Sequence, residues 1–160
     1  MLNLLAPPAP APQKVFVDAA VRLERGQCGL AVIVRDAHGA VVQAWSAVAP
    51  TRTNNEAEYA AAILALQHLA RARHRAPLIV LSDSQILVQQ MRGEAVTRAP
   101  GLRQKQAELR ALVLRFPSVR FQHIPREQNR LADALANEVV DGETPASSPN
   151  QGSGLKTLRV

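Results

Sequence analysis

The chain has 160 residues, 47% of them hydrophobic, and 19 basic against 13 acidic side chains give a net charge of +6. That length holds one domain with a real core, and the apolar content excludes general disorder. Purely apolar runs such as Ala60–Leu66 and Leu78–Leu81 fall well short of the roughly 20 residues of a membrane span. A single cysteine, Cys28, excludes an internal disulfide and a cysteine-rich zinc site. These features set the expectation of a cytoplasmic protein with no membrane contact and no obligate protein partner.

Residues 1–13 carry four prolines between Pro7 and Pro12 and no basic start, so they read as a flexible leader rather than a secretory signal. Val15–Val21 is a strand of apolar and β-branched residues interrupted by Asp18. After a polar turn holding Gly26, Cys28–Arg35 is a second strand. Asp36-Ala-His-Gly39 is a hairpin signal, and Ala40–Val48 is a third strand. Short connections imply that these three strands form an antiparallel meander.

Asn55–Ala72 then changes to helical spacing, with Ile63, Leu66 and Ala70 on one face. Leu78–Leu81 is a short buried strand, Ser84–Arg92 a second helix, and Gly93–Gly101 a loop. Leu102–Arg115 is a third helix, Ser118–Ile124 a fifth strand and Asn129–Val140 a last helix. Strands alternating with helices favour parallel pairing, which predicts an α/β domain over 14–140 with a mixed five-stranded sheet and helices on both faces. The stretch 141–160 reads as a flexible linker and tail, although Leu155–Val160 regains enough apolar character to dock as a strand.

Arg92–Arg130 holds nine Arg or Lys and three Glu, a balance of +6 that equals the net charge of the whole chain. Such a segment attracts a polyanion, or else simply solvates a helix face. With three Phe, one Tyr and one Trp, a base-stacking surface is poorly supported.

Four carboxylates stand out, each with a bland alternative. Asp18 interrupts an apolar strand, where a charge is costly unless it faces a solvated or metal-containing cleft. Glu58 lies in Thr53-Asn-Asn-Glu-Ala-Glu58, which also reads as helix capping, either Asn55 with Glu58 or Thr53 with Glu56. Asp83, in Ser82-Asp-Ser-Gln85, follows a buried strand whose carboxyl end is where open α/β sheets bind ligands, but Asp83 or Ser84 also suits an N-cap. Asp133 sits among core-type Ala and Leu and is a weak signal alone, since an exposed position paired with Arg130 or Asn137 accounts for it. Brought onto one face, four acids without a His or Cys cluster suit a hard cation, Mg²⁺ or Mn²⁺.

In combination the VFVDAA strand, TNNEAEY at Thr53–Tyr59, SDSQ at Ser82–Gln85 and PREQNRLADALAN at Pro125–Asn137 resemble the type 1 ribonuclease H family, over about Lys14 to Val140. The resemblance implies sheet order 3-2-1-4-5, a catalytic and metal-binding quartet of Asp18, Glu58, Asp83 and Asp133, and two Mg²⁺ ions with Mn²⁺ as a substitute. It implies that Asn54, Asn55 and Gln85 lie near an RNA strand and that Thr53 helps hold a phosphate of a DNA strand. The form resembled is compact, without a basic protrusion or a hybrid-binding domain. Arg98, Arg103 and Lys105 are then the candidates for DNA-strand contacts. The family's loop histidine is absent, and Arg126 is the candidate substitute at the scissile phosphate. The expected activity is metal-dependent cleavage of the RNA strand of RNA–DNA hybrids to 5′-phosphate and 3′-hydroxyl ends. A non-catalytic nucleic-acid-binding module of the same fold, or a related nuclease acting on DNA, remain as alternatives.

Overall fold

In a computed structural model, residues 5–142 and 156–158 are described. Three antiparallel strands lead, β1 (Gln13–Arg22), β2 (Gln27–Arg35) and β3 (Val41–Pro50). The β2–β3 hairpin closes on Asp36, whose Oδ1 accepts from the backbone N–H of His38 at 2.9 Å and of Ala40 at 3.0 Å. Gly39 supplies the left-handed residue that turn needs, with φ +83°.

Helix α1 (Asn54–Arg71) connects to β4 (Leu78–Ser82), which pairs parallel to β1. Helices α2 (Gln85–Met91) and α3 (Pro100–Val113) precede β5 (Val119–His123), parallel to β4. A single 3-10 turn at Arg126–Gln128 leads into α4 (Arg130–Gly142). The sheet core runs β3-β2-β1-β4-β5, the expected 3-2-1-4-5 order, and β6 (Lys156–Leu158) adds a sixth, antiparallel strand at the β3 edge. Residues 1–4, 143–155 and 159–160 of the expected leader, linker and tail lie outside the described residues.

Alternation along each strand sorts the core onto two faces. Val15 and Val17 of β1, Leu30 and Val32 of β2, and Leu78 and Val80 of β4 pack under α1, α2 and α3. Ala20, Ala31, Ile33 and Ala44 pack under Ala132, Ala136 and Val140 of α4 on the opposite face. Tyr59 Oη donates to Gln90 Oε1 at 2.8 Å, and Gln106 Nε2 donates to the Gln90 carbonyl at 3.1 Å, so one glutamine ties α1, α2 and α3 together. On the other face α4 approaches β2 so closely that a Cβ on Gly29 would overlap the Ala136 carbonyl oxygen.

The helix boundaries differ from the sequence reading by one or two residues, and two of these differences have a clear physical cause. Pro100 and Gly101 belong to α3 rather than to the loop, because a proline at the first helical positions lacks only an N–H that has no intrahelical partner there. Helix α4 continues through Asp141, beyond the expected end at Val140, and Asp141 is held there by Arg22 and Arg25 at 2.8 and 3.3 Å. No described helix is long and apolar enough to cross a membrane.

Candidate active site

Strand register places Asp18 on the α4 face of β1, in sequence with Phe16 and Ala20. It is 3% exposed, and its Oδ1 accepts the N–H of Ala19 at 2.9 Å. A solvent-facing position on a half-exposed strand is therefore ruled out for it.

The capping question at α1 resolves in favour of the earlier pair. Thr53 is the N-cap and its hydroxyl oxygen accepts from the Glu56 N–H at 3.1 Å, while Glu56 Oε2 accepts from the Arg52 N–H at 3.3 Å. Glu58 is consequently free of capping and points to the sheet. At α2 the cap is Ser84, whose Oγ accepts from the Leu87 N–H at 3.3 Å, which frees Asp83 at the carboxyl end of β4. Carboxylate oxygens of Asp18, Glu58 and Asp83 lie within 4.8 Å of one another.

Asp133 is on the first turn of α4 and is outside that trio. It shares with the trio one open cleft of about 310 Å³, which Asn54, Arg126, Arg22 and Asn137 also line. Arg126 Nη2 is 3.6 Å from Asp133 Oδ1, so its ion-pair partner is Asp133 and not Glu127. Thr53, Asn55, Gln85, Arg98, Arg103 and Lys105 do not line the cleft. Arg103 is occupied locally, its Nε donating to the Thr97 carbonyl at 2.9 Å.

Sequence alone does not single out Arg22, and it offers Asn137 only as a surface partner of Asp133. Asn137 Oδ1 accepts from Arg22 Nη2 at 2.9 Å, and Arg22 is gripped by both oxygens of Asp141 at 3.0 and 2.8 Å. The available signal was spacing: Asn137 is four residues after Asp133 on one helix face, and Arg22 four after Asp18 on one strand face.

Burial pushes the Glu58 carboxyl up to about 9; Asp18 and Asp83 add to the shift and Arg126 opposes it. Burial likewise pushes Asp18 up to about 7, with Asp83 adding, the Ala19 N–H opposing and Asp133 adding. Glu58 Oε2 is buried without a hydrogen-bond partner. A tight acidic trio, an orphaned carboxylate oxygen and two strongly raised acids fit a hard divalent cation, which relieves repulsion and gives the orphan oxygen a ligand role.

The family model described as reverse transcriptase-like matches residues 16–139. The crystal structure of RNase H1 from the halophilic archaeon Halobacterium salinarum superposes with a TM-score of 0.78 at 32% identity, over 83% of this chain and 100% of that one. The chain belongs to the type 1 ribonuclease H family. The family's LC11-RNase H1, solved in complex with an RNA/DNA hybrid, matches with a TM-score of 0.76 at 33% identity, over 81% of this chain and 97% of that one. Among curated relatives, the Ribonuclease HI of H. salinarum is 33% identical over 126 residues, 79% of this chain and 63% of that protein. The bifunctional protein Rv2228c of Mycobacterium tuberculosis is 32% identical over 128 residues, 79% of this chain and 35% of that protein. The chain thus spans less than two thirds of the length of these curated ribonuclease H relatives.

Proposed function

We propose that the protein is a metal-dependent endoribonuclease that hydrolyses the RNA strand of RNA–DNA hybrids, leaving 5′-phosphate and 3′-hydroxyl ends. The observation that carries this reading is the trio Asp18, Glu58 and Asp83, with oxygens within 4.8 Å of one another at the mouth of an open cleft. Support for the substrate comes from the hybrid bound to LC11-RNase H1.

Asp18, Glu58 and Asp83 would hold one Mg²⁺, and Asp133, beside Asp18 in the same cleft, would help hold a second. Such ions supply Lewis-acid activation of water and stabilise charge on the leaving 3′-oxygen. The chain's own groups do the positioning. Asp18 is fixed by its buried strand and the Ala19 N–H, and Glu58 by the helix that Thr53 caps. Arg126, with its guanidinium at the cleft, is suited to hold two phosphate oxygens by a bidentate contact. Asn54 at the cleft rim is the best placed of the expected RNA-strand contacts. Arg98 and Lys105, neither of which lines the cleft, keep the proposed role of DNA-strand contacts.

Labelled RNA–DNA hybrid, duplex DNA and duplex RNA, each with Mg²⁺ and with EDTA, test the reading. Mg²⁺-dependent cutting of the hybrid, abolished by Asp83→Asn with the fold intact, is expected. Retention of hybrid without cutting would make the protein a binding module, and preferential cutting of duplex DNA would make it a DNA nuclease.

A further inference from the structure

Helix α4 covers the sheet over β1, β2 and β3, and among the described residues no helix covers the β4 and β5 part of that face, where Ile79, Leu81 and Ile124 form a small buried cluster. Strand register puts a row of residues across this part of the sheet, with Ile79 buried and Lys14 and Arg120 exposed. Arg35 of β2 pairs with Lys14 of β1, Lys14 with Ile79 of β4, and Ile79 with Arg120 of β5. Their strand neighbours Val34, Val15, Val80 and Phe121 point the opposite way, into the core under α1 and α3. Lys14, Arg35 and Arg120 therefore share one face. Strands lie about 4.8 Å apart, so the row is about 14 Å long.

The charge in this row is unbalanced. Among the described residues none of Lys14, Arg35, Arg120 or the nearby Arg130 belongs to an ion pair; the pairs there involve Arg22, Arg25, Arg92 and Arg126. Lys14 and Arg35 stand directly opposite each other, an arrangement that costs stability in a sheet. Arg35 is steadied by the Phe16 ring, 5.7 Å away, and by the Gly39 carbonyl at 2.8 Å, rather than by an acid. The Asp36 carboxylate is turned into its hairpin.

The row is also continuous with the cleft. Lys14, Phe16 and Asp18 alternate on one face of β1, which sets Lys14 about 14 Å from Asp18. The 3-10 turn between them carries Arg126 in the cleft, and a second cavity of about 250 Å³ beside it is lined by Arg35, Phe16 and Arg130, with Glu127 as its acid. We propose that Lys14, Arg35 and Arg120 form a phosphate-binding track that holds a single-stranded extension of the nucleic acid seated in the cleft. Three cations over about 14 Å match roughly three phosphates of an extended strand, and Phe16, the aromatic on this face, lies under the Arg35 guanidinium, so the contact is with backbone rather than with bases. The inference rests on the proposed hybrid substrate for its choice of probe.

Fluorescence anisotropy in EDTA compares a short blunt hybrid with the same hybrid carrying a single-stranded extension, on the RNA or on the DNA strand in separate arms. The native protein should bind at least one extended form several-fold more tightly than the blunt form. Lys14→Gln/Arg35→Gln/Arg120→Gln should abolish that advantage and lower the salt slope on that form by about 2, at roughly 0.7 per phosphate contact. Blunt-hybrid affinity and Mg²⁺-dependent cleavage of the blunt hybrid should be unchanged. Lys14→Gln/Arg120→Gln, which spares the Arg35–Phe16 contact, should lose most of the advantage without any fall in melting temperature. Equal binding of blunt and extended hybrids by the native protein, or an advantage that survives in the triple variant, would overturn the proposal. Failure of the native protein to cut the blunt hybrid would instead count against the proposed activity.

Discussion

Asn137 Nδ2 donates to Asp133 twice, to its carbonyl oxygen at 2.9 Å and to its carboxylate Oδ1 at 3.2 Å. The same asparagine accepts from Arg22, itself locked by Asp141, so a chain of three side chains orients Asp133 from the far end of α4. Asn137→Ala should lower kcat about tenfold while moving KM little, because an oriented carboxylate matters most where charge develops. Steady-state kinetics on a hybrid would measure the split. An equal change in KM with kcat intact would make Asn137 a substrate contact.

Mg²⁺ should stabilise the protein more at high pH than at low pH. Without cation, Glu58 is raised from 4.5 to about 9 and Asp18 from 3.8 to about 7. Folded-state values above the unfolded ones mean that the folded state binds more protons over that interval. The associated stability is fully present below about pH 4 and declines as pH rises through 7 towards 9. A cation cancels the repulsion that grows over this range, so the melting-temperature gain from Mg²⁺ should be larger at pH 8.5 than at pH 5.5. The same gain at both values would disprove the coupling.

Arg126 has 77% of its side chain exposed and lies 3.6 Å from Asp133, so it is free to swing onto a phosphate. Arg126→Ala should lower kcat by roughly ten- to a thousandfold, and Arg126→Lys should recover part of that loss. Full activity in Arg126→Ala would leave the residue a surface cation.

Gly29→Ala should destabilise the fold by about 1–3 kcal/mol, because the added methyl meets the Ala136 backbone and the Val139 side chain. Chemical denaturation would show a lower midpoint. Activity should fall as well, since Asp133 rides on the displaced helix. An unchanged midpoint would mean that α4 shifts away at little cost.

Cys28 is fully buried, and burial pushes its thiol up to about 11. A thiol reagent at pH 8 should therefore label it only as the protein unfolds, with the rate rising through the denaturation transition. Rapid labelling of the native protein would show that β2 opens readily.

The strands, helices and four acids were legible in the chain because each is a local signal. Alternation marks Val15–Val21, helical spacing marks the run from Asn55, and Asp18 is conspicuous because its neighbours are apolar. Both Thr53–Glu56 and Asn55–Glu58 satisfy the same capping pattern, however, and only packing against the sheet selects the first pair and frees Glu58. Pairings across long stretches of chain were invisible in sequence: Arg22 with Asn137 and Asp141, and the choice of β3 as the partner of Lys156–Leu158, a stretch whose apolar character marked it only as able to dock. The same holds for the row Arg35, Lys14 and Arg120. Sequence drew attention to the dense charge between Arg92 and Arg130, yet two members of the row lie outside that segment. A strand's own sequence gives its period of two but not its partner or register, and register alone decides which charges share a face.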